Sequence, residues 1–341
     1  MALLWIDGFE GYGTSGNPSA LTARYAAAAA QTNWTIYSGR LSGYSLGSNS
    51  GDLTATTPAL TTDSTLIAGC ALYCLNNTVA SGTSFSIQFY DGATSGININ
   101  LRSFTPNSTL TIKLGATTIT TYTNFLLLLN VWYYIELKVF CHPTSGTVEV
   151  RVNGTTLVSL TGINTRAGTH NYHNTVVLEQ YRCYWDDYYI CDGSGAALND
   201  FLGTIAVIGL FPNSDTATEQ WIPSAGTTHY NLVDENPPNA ATDYVSSSTQ
   251  AQMDLWLYPS LAGTGTILGL QVNTQVAMPS GTSIILESPI VSNGSTDLGP
   301  DYTISSASYA DTRHVSTTDP YTGLPWTVAG LAAAQIGIKI M

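Results

Sequence analysis

"WYYIELKVFCHPTSGTVEVRVNGTTLVSLTG", Trp132 to Gly162, is the stretch that decides the fold. Val148, Val150 and Val152 alternate with Glu149, Arg151 and Asn153, the period of two that sends successive side chains to opposite faces of a pleated strand. Asn153-Gly154 then supplies two residues that tolerate positive φ, as a type I′ turn requires, and Thr155–Leu160 returns as the partner strand. Upstream, Ile135, Leu137 and Val139 share one face while Tyr134, Glu136 and Lys138 share the other, so Trp132–Phe140 reads as a third strand.

The same pattern extends in both directions. Thr65–Leu75, Ser84–Tyr90, Ile97–Leu101, Thr109–Leu114 and Val176–Ile190 read as strands joined by Gly, Asn and Ser turns. "MALLWIDGFEGY" lacks a basic n-region and meets Asp7 early, so it reads as a first strand and not as a signal peptide. The alanine-rich segment Ser19–Gln31 suits either a short helix or an exposed connection. "CDGSGAALND", Cys191–Asp200, is small, polar and glycine-bearing, the composition of a linker. Beyond it Gly203–Leu210, Asp254–Tyr258, Thr266–Val276, Ser283–Val291 and Ile336–Ile340 are strand candidates between Pro- and Asn-rich loops, the rhythm of a second β-sandwich. Thr327 is a good N-cap for about two helical turns before the last strand. The expectation is an all-β chain with one domain at residues 1–191, a linker at 192–200, and a smaller antiparallel sandwich at 201–341.

Composition agrees and narrows the function. Charged residues are 10% of the 341, against roughly 25% in an average soluble domain. The net charge is −13 with three lysines and seven arginines, so no basic patch can neutralise a phosphate backbone and nucleic acid is not an expected partner. The longest apolar run, Phe125–Leu129, is far short of the roughly 20 residues a bilayer span needs. Five cysteines, Cys70, Cys74, Cys141, Cys183 and Cys191, are an odd number without framework spacing, which fits synthesis in a reducing cytoplasm.

No catalytic, cofactor-binding or metal-ligating residue is expected. Asp186 and Asp187 are the obvious carboxylate pair, but neighbours on a strand point to opposite faces and cannot jointly flank a glycosidic bond; one is expected in solvent and one on a neighbouring loop. His170, His173, His142 and Cys141 suggest zinc only superficially, since no CxxC or HExxH accompanies them; surface-loop histidines are expected. Cys70 and Cys74 share a face and pack as small apolar residues. Asp91-Gly92 and the loop at Asp234, Glu235 and Asn236 offer oxygen ligands without EF-hand spacing, and turns are the expectation. The sequons at Asn33, Asn76, Asn107, Asn153 and Asn293 are chance matches in a chain rich in Asn, Ser and Thr. Trp132 and Trp185 are expected to fill the cores.

"WYYIELKV", "GTVEVRVNGTTLVSLTG" and "YWDDYYIC", with "WIDGFEGYG" and "GRLSGYSL" before them, resemble the concanavalin A-like (laminin-G-like) jelly-roll domains of structural proteins from tailed bacteriophages and prophages. Trp132, Ile135, Glu136, Lys138, Asn153, Gly154, Asp186 and Asp187 fit that pattern. "NDFLGTIAVIGLFPN", "HYNLVDENPP", "GLQVNTQVAM" and "DPYTGLPWTVAGLAAAQIGIKI" resemble the β-rich module that follows in such proteins. The resemblance implies a non-enzymatic structural protein on the virion exterior, made in the host bacterial cytoplasm, as capsid decoration, tail or fibre. It implies other virion proteins as partners and a homo-oligomer, a trimer before a dimer. The jelly roll alone does not settle function, because the same fold hosts lectins, hydrolases and scaffolds; a carbohydrate-binding adhesin that contacts host-surface glycans is the alternative, and a glycan hydrolase ranks last because the carboxylate geometry argues against it.

Overall fold

The computed structural model describes residues 2–13, 18–26, 34–48, 52–75, 85–102, 108–239, 242–263, 265–281 and 283–341. The chain divides into two compact units, Met1–Gly209 and Leu210–Met341. No helix among the described residues is long and apolar enough to cross a membrane.

The first unit is a jelly-roll sandwich of antiparallel strands: β1 (Leu3–Asp7), β2 (Trp34–Ser38), β3 (Tyr44–Ser48), β4 (Asp52–Thr56), β5 (Thr65–Cys74), β6 (Phe85–Asp91), β7 (Thr94–Arg102), β8 (Thr109–Leu114), β9 (Thr117–Tyr122), β10 (Trp132–Phe140), β11 (Gly146–Val152), β12 (Thr155–Ile163), β13 (Thr175–Tyr181) and β14 (Cys183–Asp192). One sheet runs β12-β11-β10-β5-β14-β3-β2, with β1 also paired to β14; the other runs β4-β13-β6-β7-β8-β9. Alternation makes the core. Leu66, Ala68, Cys70 and Leu72 from β5 and Ile135, Leu137 and Val139 from β10 meet Phe85, Ile87 and Phe89 from β6 and Ile97, Ile99 and Leu101 from β7. Burying each of the Leu, Ile, Val and Phe side chains contributes about 1.5–3 kcal/mol. Trp185 joins this core, fully buried.

Two sequence expectations change here, and one left open is decided for its described part. Val176–Ile190 reads as one strand but forms two, in different sheets, because Arg182 takes φ 56 and turns the chain from β13 into β14. No glycine or proline marks that corner. The alanine-rich segment is helical over Pro18–Arg24, while residues 27–31 lie outside the described residues, as do Ser84 and the sequons Asn33, Asn76 and Asn107. Gly203–Leu210 contains no strand, and residues up to Gly209 belong to the first unit.

The opening hairpin forms about its expected turn, with Val152 opposite Thr155 and Arg151 opposite Thr156, and then slips by one residue at a bulge, so that Val150 lies opposite Val158 and Val148 opposite Leu160. Asn153 (φ 50) and Gly154 (φ 76) make its turn. The Asn153 amide oxygen accepts from Tyr134 N at 2.7 Å, which ties the turn to β10. A Cβ on Gly154 would meet nothing within 4 Å, so a substitution there is opposed by backbone strain alone. Gly154→Val is expected to destabilise the first unit by roughly 1–2 kcal/mol, the cost of a branched side chain at positive φ. Chemical denaturation of the variant checks this; an unchanged midpoint refutes it.

The second unit is a smaller β-sandwich around a seven-stranded sheet. Ser214–Glu219, Met253–Leu257, Gln335–Ile340, Ile284–Glu287 and Tyr302–Ile304 follow one another across it, and the hairpin Ile290–Ser292/Ser295–Asp297 also joins Gln335–Ile340. The expected strand Ser283–Val291 is split at Ser288-Pro289, since proline has no N–H for the ladder. Leu270–Val276 pairs with Ala310–Ser316 as a separate ribbon. Ile338 and Ile340 pack with Trp256, Val276, Leu286 and Ile304, while Ile336 packs with Ile290, Trp326, Leu331 and Ala334. Thr327 caps the helix Val328–Ala333 by accepting from Gly330 N at 2.9 Å.

Candidate functional site

The aspartate pair occupies a bulge. β14 loses register between Asp186 and Tyr189, and Asp187 takes φ 50. The extra residue breaks the alternation. Trp185, Tyr188 and Ile190 all stay in the core, and both aspartates are buried together at the outer side of the sheet, 2% and 3% exposed. The expectation of opposite faces, with one carboxylate in solvent, is therefore corrected. The bulge lies where the edge of β14 passes from β3, paired at Tyr184 and Trp185, to β1, paired from Tyr188 onward.

All four oxygens of the pair are occupied. Asp186 accepts from Arg40 N at 2.6 Å and from Asp187 N at 2.7 Å. Asp187 accepts from Arg40 Nε at 2.6 Å and Val207 N at 2.7 Å. Arg40 also donates to Ile205 O. Glu10, in the 3-10 turn Glu10–Tyr12, lies beside them, and burial followed by the charge of Asp186 raises its carboxyl to about 9. Burial and the charge of Asp187 raise Asp186 as well. Cβ atoms placed on Gly8, Gly43 and Gly209 would come within 2.3, 2.7 and 2.5 Å of the Glu10 side chain. Backbone thus packs closely against Glu10, and the aspartate oxygens are taken up by N–H groups from Arg40, Asp187 and Val207, so these acids tie separate segments of the first unit together.

The remaining polar residues of the resemblance motif hold down a strap, residues 200–207, on the outer face of the same sheet. Glu136 accepts from Gly203 N at 2.9 Å and from Tyr189 OH at 2.6 Å, and Tyr189 OH accepts from Leu202 N. Lys138 pairs with Asp200 at 2.9 Å. The Phe201 ring lies 4.0 Å from the Arg151 guanidinium. Residues 201–209, assigned from sequence to the second module, thus make their contacts with the first.

The histidines separate. His170 bonds Asp91 at 2.9 Å; His142 Nδ1 accepts from Thr144 N and Ser145 N, closing a turn. His173, expected on a surface loop, is buried beside Phe89 at a ring distance of 6.1 Å, and burial lowers its imidazole to about 4. Among the described residues no three His, Cys, Asp or Glu side chains form a metal-holding group. Asp234 and Glu235 lie in a loop that leads to a cis Asn236-Pro237 bond.

Four aromatic rings cross the outer face of the larger sheet. Tyr37 stacks on Tyr184 at 4.0 Å, Tyr184 on Tyr73 at 5.5 Å, and Trp132 tilts against Tyr73 at 5.2 Å. Gly47 of β3 makes this ladder continuous, since a Cβ there would come within 2.2 Å of the Tyr184 ring. Trp132 is accordingly a half-buried surface residue and not part of the core. The ring faces are turned to one another, so the ladder fastens β2 to the sheet more than it offers flat faces to a sugar.

An open groove occurs in the second unit, a cavity of about 420 Å³ lined by Ser292, Asn293, Asp319, Tyr321, Gly330 and Gln335 among others. That volume lies in the range of small-molecule sites. The segment "DPYTGL" builds one wall: Asp319 N donates to Leu324 O, Gly323 N to Asp319 O, and Tyr321 N to Asp319 Oδ1 at 2.9 Å. Asp319 is 6% exposed, yet among the described residues its Oδ2 receives no hydrogen bond. Gly330 stands opposite, where a Cβ would lie 3.2 Å from that oxygen. Tyr321 is 56% exposed at the rim. Asn293 caps the opposite wall at the tip of the 290–297 hairpin with φ 44. Among the described residues no lysine or arginine lines the groove. The sequence expected no site here; the only cue was an exposed-type tyrosine inside a turn signal.

No protein-family model matches the chain, and no curated protein matches it. Among solved structures, the alginate lyase Aly36B aligns at 12% identity and TM-score 0.40, covering 55% of this chain and 96% of that one. The carbohydrate-binding module CBM66 from Bacillus subtilis aligns at 12% identity and TM-score 0.32, covering 48% and 98%. The galectin LEC-6 from Caenorhabditis elegans aligns at 12% identity and TM-score 0.30, covering 40% and 89%. Each shares only part of its geometry with this chain.

Proposed function

We propose that this chain is a non-catalytic structural protein of the exterior of a tailed-phage particle, as capsid decoration, tail or fibre, which contacts host-surface glycans through the groove of its second unit. The observation that carries the glycan contact is the pairing of a carboxylate oxygen, Asp319 Oδ2, which receives no hydrogen bond among the described residues and so can accept hydroxyl protons, with an exposed ring, Tyr321, in the lining of one cavity. A carboxylate accepts from sugar hydroxyls, amides such as Asn293 and Gln335 both donate and accept, and an aromatic ring covers the apolar face of a pyranose. The virion role is supported by the resemblance of the hairpin, the aspartate pair and the C-terminal segments. The occupied oxygens of Asp186 and Asp187 support the absence of glycoside cleavage. In the particle the protein forms a homo-oligomer with itself, threefold in preference, and docks on other virion proteins.

Calorimetric titration of the full chain against neutral mono- and oligosaccharides tests the contact. Saturable binding is expected, weakened about 3–10-fold by Tyr321→Ala, the range of one aromatic contact, with thermal stability within about 0.5 kcal/mol because the side chain is exposed. Flat titrations across the panel refute the glycan reading. Release of new reducing ends would refute the non-catalytic one, and absence of the chain from purified particles the virion role.

A further inference from the structure

Cys74 ends β5 and Cys183 begins β14, and the two face each other in the antiparallel register. Their sulfurs lie 3.0 Å apart, closer than the van der Waals contact of two sulfur atoms. Both side chains are buried in the same core. The backbone around them fits a bond. Leu75 N donates to Arg182 O at 3.1 Å, so the neighbouring pair is the hydrogen-bonded one. Cys183 N donates to the Gln180 side chain, and Cys74 O accepts from Asn130 N. Cys74 and Cys183 therefore occupy a non-hydrogen-bonded position of the ladder, where Cα atoms are typically about 4.5 Å apart and side chains approach most closely. That separation lies within the range a disulfide spans without backbone movement.

We propose that Cys74 and Cys183 are a covalent cross-link site, closing to a disulfide once the protein leaves a reducing compartment. The step is a two-electron oxidation. The sulfur of one cysteine attacks a low-molecular-weight disulfide such as glutathione disulfide, and one glutathione thiol leaves. The other cysteine then displaces the second glutathione, so an S–S bond forms, two protons are released by the protein and two glutathione thiolates take them up. Burial raises the Cys183 thiol far above its ordinary value, and with so little thiolate the exchange waits for a transient opening of the strand ends. The cross-link then joins the two central strands across a loop of more than a hundred residues, the kind of closure that most restricts the unfolded chain. Cys70, Cys141 and Cys191 remain as thiols, which accommodates the odd count.

The full chain is incubated with glutathione disulfide at mildly alkaline pH, with and without warming toward the melting range, then unfolded, alkylated and mapped by mass spectrometry. The expected result is loss of the mass of two hydrogens, a linked peptide pair carrying Cys74 and Cys183, and alkylation of the other three cysteines. The oxidised form is expected to melt roughly 5–10 °C higher than the reduced form. Cys183→Ser and Cys74→Ser each should abolish both the link and the shift; if one fails to fold, the map of the parent chain still decides. Alkylation of all five cysteines after warming, or a link between any other pair, overturns the proposal.

Discussion

Arg40→Met is expected to destabilise the first unit by about 3–5 kcal/mol, the cost of leaving buried carboxylates without their cation. The guanidinium is the ion partner of Asp187 at 2.6 Å, its own backbone N–H holds Asp186, and it reaches Ile205 O in the strap. Methionine keeps the length of the side chain and part of its packing on Tyr134, so the loss reports charge and hydrogen bonding more than volume. The effect depends on pH. Glu10 has its carboxyl raised to about 9, above the ordinary value of 4.5. The folded state therefore binds more protons than the unfolded state between those values, and stability is greatest below about 4.5 and falls as pH rises toward 9. The parent chain should lose stability from neutral to alkaline pH for this reason. In Arg40→Met the fall should be steeper, because among the described residues Arg40 is the cation bonded to the pair, and without it the cluster is neutralised by protons. Denaturation curves at pH 5 and pH 8, with hydrogen exchange resolved to residues 1–209, measure both effects. Equal losses at the two pH values would refute the account of the cluster.

Gly337→Val should have an effect of similar size on the other unit, about 4 kcal/mol, the upper end for a single substitution. Gly337 pairs with Leu255 in the sheet, and a Cβ on it would lie 1.8 Å from the carbonyl oxygen of Asp254. No rotamer relieves that clash, since the obstructing atom is backbone. The strand cannot shift cheaply either: Ile336 is anchored in one apolar cluster and Ile338 and Ile340 in another. Hydrogen exchange should show lost protection across residues 210–341 while the first unit keeps its own. A variant with undiminished protection there would show that the second unit tolerates a strand displacement.

The fold and its main sequence motif were differently legible. Strand content was open to reading because alternation in β10, β11 and β12 and the Asn153-Gly154 turn are local signals, each encoded within a few residues. The bulge at Asp187 was not. Nothing in "YWDDYYIC" distinguishes a regular strand from one that slips a residue, because the slip is stabilised by Arg40, about 150 residues earlier, and by Val207 on the strap. The corner at Arg182 escaped for a related reason, as a non-glycine residue at positive φ is held there by the sheets on either side. The strap was mistaken for a strand because Ile205, Val207 and Leu210 carry apolar side chains, whereas its backbone N–H groups go to Glu136, Tyr189 and Asp187 instead of to a neighbouring strand.

By itself, then, the sequence determined the class of structure, its apolar faces and an acidic surface with few charges, since these follow from period, composition and turn chemistry. Tertiary structure alone decided which polar residues act together. It gathered Glu10, Arg40, Asp186 and Asp187 into one buried cluster, set Cys74 against Cys183, and left Asp319 Oδ2 facing a groove. Those relations depend on long-range strand register and on where a chain that leaves the sheet comes back to it. A local pattern of side chains carries no information about either.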